Sequence, residues 1–320
     1  RGVLGLISTN SIAEVDSRRS SLEPIKQDGG MIYRAQHSTS WPGQAAVVIS
    51  IVHIAKEWEG ECMLDGQPVQ EISSSLVSLE QTEQSPTTLL TNSHLGHSGS
   101  KIMGDGFKLN SMEHLALLHE DKNSGNLIRH LLGGSDITEN VTVMPSRFVI
   151  DPGQLDESEI QEFPAIYSRL QKQVLPSRSV IKDVAKKKYW WRFAGPSLAL
   201  YKSIENLDSC LVCCRVAKYV MFDVVATHSL LGPLVFDESV VVVALGDDVS
   251  FSTLQSTLHS LWVDKWGSKM GTAPRYTATE VLETFPFPLT NENLREIGSR
   301  YLSLRQECKE AAGDGLTGIY

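Results

Sequence analysis

The sequence predicts an α/β unit followed by a larger α+β unit, and three observations carry that reading. The apolar run Val3–Ile7 is continuous and bounded by Gly and by Ser-Thr-Asn, which suits a strand covered on both faces. Two further strand patterns, Met31–Gln36 and Ala45–Ile54, follow a polar crossover and a tight Trp-Pro-Gly loop. Downstream, the β-branched runs Cys210–Val216, Tyr219–Ala226 and Ser239–Leu245 predict a second sheet.

In chain order, Ala13–Ile25 is polar and carries Pro24, so it reads as a loop with a short helix. The hairpin-type loop His37–Gln44 predicts that the last strand of the first unit is antiparallel, at the end of a mostly parallel sheet. Glu57–Glu71 reads as a small hairpin or linker, and Glu80–Ser100 as an irregular connection. Met112–Glu120 and Asn126–Leu132 have helical spacing, with Ser111 as the cap of the first. Arg147–Ile150 reads as a strand, Ile160–Val174 as a helix interrupted at Pro164, and Ser197–Asn206 as another helix. Ser250–Trp266 reads as one amphipathic helix packing on the second sheet, and Asn291–Ala311 as a charged final helix.

Composition bounds the function. The chain has 320 residues, 41% of them hydrophobic, enough for a sizeable core in two units. No apolar run approaches the roughly 18 residues of a membrane span, and no signal-peptide pattern opens the chain, so a soluble cytoplasmic protein is expected. Five cysteines make no disulfide framework. Cys210, Cys213 and Cys214 sit in an apolar strand-like run without a second pair at zinc spacing, and read as buried thiols. His94, His97, His114 and His119 complete no recognisable ligand set, so no metal is expected. Net charge is -9, yet Arg169–Arg192 holds eight basic residues against Asp183 alone. Such a block can neutralise phosphates, or it can be a solvated basic loop.

Several segments resemble a known family. Leu4-Gly5-Leu6-Ile7-Ser8-Thr9-Asn10-Ser11-Ile12, Ile32-Tyr33-Arg34-Ala35 and Trp41-Pro42-Gly43-Gln44-Ala45-Ala46-Val47 resemble the second half of the catalytic domain of large adenine-specific DNA methyltransferases. These single-chain enzymes of type II restriction–modification and phage-defence systems carry their own target recognition domain. Gly99–Phe107, Pro145–Ile150, Tyr189-Trp190-Trp191, Glu283–Pro288 and Gly315–Tyr320 resemble later landmarks of the family, in the same order. The resemblance implies the last strands of a doubly wound class I methyltransferase sheet over residues 1–60. It implies a target recognition domain over 61–288 and the start of a helical tail over 289–320.

It also implies S-adenosylmethionine as cofactor, double-stranded DNA as partner, and transfer of a methyl group to adenine N6. The family's Gly-rich cofactor turn and its Asn/Asp-Pro-Pro-Tyr/Phe loop are not among these residues. Both are expected upstream of Gly2, in a catalytic half of the same polypeptide, so no catalytic residue is assigned here and the fragment alone is expected to be inactive. Gly104-Asp105-Gly106 follows no buried strand and opens no helix, so it reads as a turn.

Methylating an adenine amine requires flipping the base, at a cost of a few kcal/mol. A stacked aromatic ring returns about 1–3 kcal/mol. The resemblance implies that the loop between the last two strands faces the target base, which makes Trp41 the stacking residue or, failing that, a plug in a tight turn. Thr9 and Asn10 stand at the carboxyl end of the first strand, where open α/β sheets place ligands. They line the pocket, support the Asn/Asp-Pro-Pro loop, or cap the next segment. Residues for DNA contact are Arg147, Arg178, Lys186, Lys187, Lys188, Arg192, Arg215, Lys218, Lys269 and Arg275, with phosphate the default partner of each and Arg147 alternatively an internal ion-pair partner. Ser268–Thr272 reads as a flexible loop suited to approach DNA. Two other readings remain open: a fused restriction–modification enzyme that also cleaves DNA, and a non-catalytic specificity module.

Overall fold

The computed structural model describes residues 2–45, 47–78, 86–227, 232–271, 273–289 and 292–320. Ala46, the start of the Glu80–Ser100 connection, Thr272 in the expected DNA-facing loop and Asn291 lie outside the described residues. The chain forms two compact units, Arg1–Thr88 with Leu261–Arg275, and Leu89–Ser260 with Tyr276–Tyr320.

The first unit contains β1 (Val3–Thr9), β2 (Gly30–Ser40), β3 (Val48–Lys56), β4 (Cys62–Leu64) and β5 (Gln67–Val69), ordered β1-β3-β2-β4-β5. β3 is antiparallel to both β1 and β2, so β1 and β2 run the same way and β4 is parallel to β2. The antiparallel strand expected at the end of the sheet therefore lies between the other two. It is the most continuously apolar of the three, and that position buries Ile49, Ser50, Val52, Ile54 and Ala55. The core collects Ile12, Leu22, Ile32, Ala35, Val52, Ile54, Ile72 and Leu76.

β1 departs from the expected two-faced burial. Val3, Leu4 and Ile7 are 71%, 47% and 62% exposed. Among the described residues β1 is hydrogen-bonded only along its β3 edge. An apolar run is buried only if neighbours exist to cover it.

Among the described residues the second unit holds two four-stranded sheets. β6 (Gly96–Ser98), β7 (Lys108–Leu109), β8 (Ile128–Leu132), β9 (Arg147–Ile150), β10 (Ser209–Cys214), β11 (Phe222–Ala226), β12 (Leu234–Phe236) and β13 (Val240–Val243) are ordered β11-β10-β13-β6 and β12-β8-β9-β7. The three β-branched runs build the first sheet, with Val240–Val243 buried throughout. Its fourth strand, β6, falls in the stretch expected to be irregular. Gly-His-Ser has no apolar pattern, and β13 supplies the pairing. Gly96 is required there, because a Cβ would come within 2.4 Å of Ala278 Cβ.

Asn126–Leu132 shows why short apolar runs mislead. Its spacing fits a helix, but Ile128–Leu132 is a strand held on both edges, by β9 and by β12. The Ser111–Glu120 helix is capped by Asn110 rather than by Ser111. Asn110 Oδ1 accepts from Glu113 N–H, and the Glu113 carboxylate accepts from Asn110 N–H, each at 2.9 Å. Pro164 opens the Pro164–Gln173 helix after the break that it imposes.

The helix expected over Ser250–Trp266 is two, Asp248–Leu254 and Thr257–Trp266. Gln255, at the break, accepts the Phe222 N–H through Oε1 at 2.9 Å. After the break the expected apolar face turns outward, with Leu258 and Leu261 exposed. Glu292–Ala312 forms the long tail helix, held through Arg305 and Lys309, each 3.2 Å from the Asp223 carboxylate. No helix among the described residues is long and apolar enough to cross a membrane.

Candidate nucleic-acid interface

In the first unit, Asn10 joins the ends of three strands. Its Oδ1 accepts from Ser38 Oγ on β2 (3.0 Å) and from Ser50 Oγ on β3 (2.9 Å). Ser38 has a positive φ of 55°, within an irregular stretch of β2. Thr9 Oγ1 lies 2.7 Å from Ser11 Oγ and stays with the local turn.

Residues 261–275 bring a second element to this end of the sheet, the hairpin β14 (Ser268–Met270) and β15 (Ala273–Arg275). Lys269 N–H donates to Glu14 Oε2 at 3.3 Å, and its ammonium sits 3.2 Å from Asp264. A cleft of about 350 Å3 results, lined by Asn10, Glu14, His37, Ser38, Trp266 and Lys269 among others. The structure thus unites Asn10 and Lys269, which are far apart in sequence. Trp266 and His37 were not expected in this cleft, since Trp266 reads only as the end of an amphipathic helix and His37 as the start of a loop. Burial lowers the His37 imidazole below its ordinary value, with Asp65 and Glu14 pulling the other way.

Trp41 is outside the cleft lining. It is 40% exposed on the β2–β3 loop, its backbone N–H donating to Val47 O at 2.9 Å. Gly43 lies against its indole, where a Cβ would come 2.3 Å from Nε1.

The basic block of the second unit divides by side-chain chemistry. Arg178 is 1% exposed and donates to the carbonyls of Met103, Ile102 and Arg192, each at 3.1 Å. It cannot reach a phosphate, and the expectation of DNA contact fails for it. Burial pulls its guanidinium below the ordinary arginine value. Arg192 donates to the carbonyls of Leu155 and Gln154 and lies over the Tyr189 ring at 4.7 Å. Arg169 binds the carbonyls of Gly106 and Lys108 and the Glu113 carboxylate. Five donors on a planar fork suit arginine to such carbonyl-rich interiors. Trp190 and Trp191 are core residues.

Lysines take the outside. Lys182, Lys187 and Lys188 are exposed, while Lys186 pairs with Asp183 at 2.7 Å. Lys218 is exposed over the Tyr219 ring. Arg215 and Arg275 are half-buried. Arg147 stands 3.8 Å from the buried Asp136 carboxylate, as the ion-pair alternative requires.

The profile of the family described as MmeI, target recognition domain, matches residues 80–289, about two-thirds of the chain. The chain belongs to the MmeI target recognition domain family. Among solved structures, the type IIL restriction–modification enzyme MmeI in complex with DNA aligns over 99% of this chain and 43% of its own, at a TM-score of 0.75 and 19% identity. The chain therefore has the fold of that region of MmeI while spanning less than half of its length. The type IIG restriction endonuclease BpuSI aligns over 94% of this chain and 42% of its own at a TM-score of 0.34 and 10% identity, too distant to bear on the fold. No curated protein matches the sequence. For this MmeI-type chain, the family match begins within the first unit and takes in the β14–β15 hairpin and the second unit as far as residue 289, short of the tail helix.

Proposed function

We propose that this chain supplies DNA target recognition to a restriction–modification enzyme whose complete polypeptide transfers a methyl group from S-adenosylmethionine to adenine N6. The observation that carries the reading is the family match over residues 80–289. The sheet order supports the methyltransferase part. Two strands running the same way, β1 and β2, flank the antiparallel β3, and β1 leaves an exposed apolar edge on which further strands can continue the sheet.

The residues present do not fit the cofactor. Gly104 and Gly106 serve packing rather than a cradle, since a Cβ on Gly106 would meet Gln173 Cβ at 2.7 Å. No step of the transfer is therefore routed through this chain. Its part is to bind the duplex and present the target base. Lys182, Lys187, Lys188 and Lys218 supply open charge for phosphates. Lys269 and Arg275, both on the β14–β15 hairpin, are the residues that read base edges in this proposal. Trp41 is the stacking residue for the flipped adenine, and Asn10 holds the strand ends that carry its loop. The likeness to a restriction–modification enzyme favours a second activity, cleavage, in the complete polypeptide.

Methylation-aware sequencing of DNA from cells expressing the complete reading frame tests the proposal. The expected result is one sequence motif modified at adenine N6. Lys269→Ala should relax one position of that motif, whereas Lys187→Ala should lower occupancy at all sites alike. Modification at cytosine, or none, overturns the reading.

A further inference from the structure

The tail helix Glu292–Ala312 turns charge inward and apolar surface outward. Its buried positions are Gly298, Arg305 and Lys309, the two cations being 5% and 2% exposed against Asp223. A surface helix ordinarily does the reverse. Leu294, Ile297, Tyr301, Leu304, Cys308 and Ala311 meanwhile recur at alternating three- and four-residue steps, the a/d spacing of a coiled-coil seam. This stripe lies roughly a quarter-turn from the buried line. Ile297 and Leu304 are 57% and 56% exposed, Cys308 and Ala311 are exposed, and Leu294 and Tyr301 are half-buried.

We infer that the stripe is a self-association surface, on which two copies of the chain pair their tail helices antiparallel about a twofold axis. Antiparallel pairing sets a against d. Leu294 then meets the partner's Ala311, Ile297 the partner's Cys308, and Tyr301 the partner's Leu304. Large side chains face small ones in the outer layers, the condition for interdigitation. The same register sets Arg300 opposite the partner's Glu307, twice by symmetry, and both residues are exposed. Parallel pairing would instead bring Arg300 to the level of Arg305, which is buried against Asp223 and offers it no carboxylate. Charge and volume thus select the antiparallel dimer of this chain as the occupant.

The seam spans roughly 26 Å, at the low end of specific interfaces. Association is therefore expected with a midpoint on the order of 10–100 μM. Sedimentation of the 320-residue chain should show the mass rising from 35.3 kDa towards twice that value with concentration. Ile297→Glu with Leu304→Glu, both at exposed positions, should hold it at one chain with an unchanged circular dichroism spectrum. Arg300→Glu should weaken association about tenfold, and adding Glu307→Arg should restore it. Mild oxidation with copper phenanthroline reads the register. Ile297→Cys should cross-link to the partner's native Cys308, while the unaltered chain should not, its two Cys308 thiols lying roughly 16 Å apart along the seam. A monomer up to about 500 μM, a Cys308–Cys308 cross-link in the unaltered chain, or a charge reversal that fails to rescue would each overturn the inference.

Discussion

β1 of the first unit and the Asp223 site of the second invert the usual arrangement in opposite directions. β1 is among the most apolar segments of the chain, yet Val3 and Ile7 are more than half exposed. At the other site Arg305 and Lys309 are buried around Asp223, with the Arg305 guanidinium 5.1 Å from the Phe251 ring centroid. The difference lies in what each segment finds beside it. Among the described residues β1 has a paired strand on one edge only, and Val3, Leu4 and Ile7 stay in solvent while Leu6 packs on the core. The tail helix packs on the Asp248–Leu254 helix, where the Asp223 carboxylate and the Phe251 ring receive its two cations, so they go in. Arg178 repeats the second case with three carbonyl acceptors.

The sharpest way to break this contrast is Asp223→Asn. It leaves two buried cations without their carboxylate and should cost about 3–5 kcal/mol, read as a lower midpoint in urea unfolding. A loss below about 1 kcal/mol would mean that the cations reach water and are not truly interior.

A second test uses pH. His259 is fully buried, its Nε2 3.0 Å from Tyr276 Oη, and burial pushes its pKa down to about 3. An unfolded histidine takes up its proton near 6.5, so between about 6.5 and 3 the unfolded chain binds more protons than the folded one. Stability is therefore complete above about pH 6.5 and falls as pH drops towards 3, by up to about 4 kcal/mol from this residue. His259→Phe should flatten that slope in unfolding curves taken across the window. An unaltered slope would show that other groups set it.

The smallest effect is expected at β1. Ile7→Thr keeps the β-branch and should change stability by less than about 0.5 kcal/mol, because no buried area is lost. A cost of 2 kcal/mol or more, near that of a core truncation, would show that β1 is covered in solution. It would also place its occluding partner within the same chain or a second copy.

Much of the element pattern was legible without coordinates. The β-branched runs at Cys210, Tyr219 and Ser239, the break at Pro164 and the final charged helix follow from local periodicity and from proline's missing N–H. β6 and β8 were not legible. Gly96-His97-Ser98 has no pattern until β13 pairs with it, and Ile128–Leu132 fits helix and strand equally until both of its edges are bonded.

The candidate site divides in the same way. Asn10 was marked by its place at a strand end, and Lys269 by its loop, but nothing in the sequence joins them to His37 and Trp266. Arginine and lysine count equally in a local charge sum. Only folding shows that Arg178 and Arg192 spend their donors on carbonyls while Lys187 and Lys188 stay in solvent.

By itself, then, the sequence determined where β1, β2, β3 and the β-branched strands β10, β11 and β13 form, where Pro164 breaks a helix, and which family landmarks the chain carries. These depend on local periodicity and residue chemistry. The tertiary structure alone decided the central place of β3, the exposure of β1, the inward turn of Arg178, Arg305 and Lys309, and the cleft between Asn10 and Lys269. Each of these depends on contacts between residues distant in sequence, and such contacts set both the desolvation cost of a charge and the area that an apolar side chain can hide.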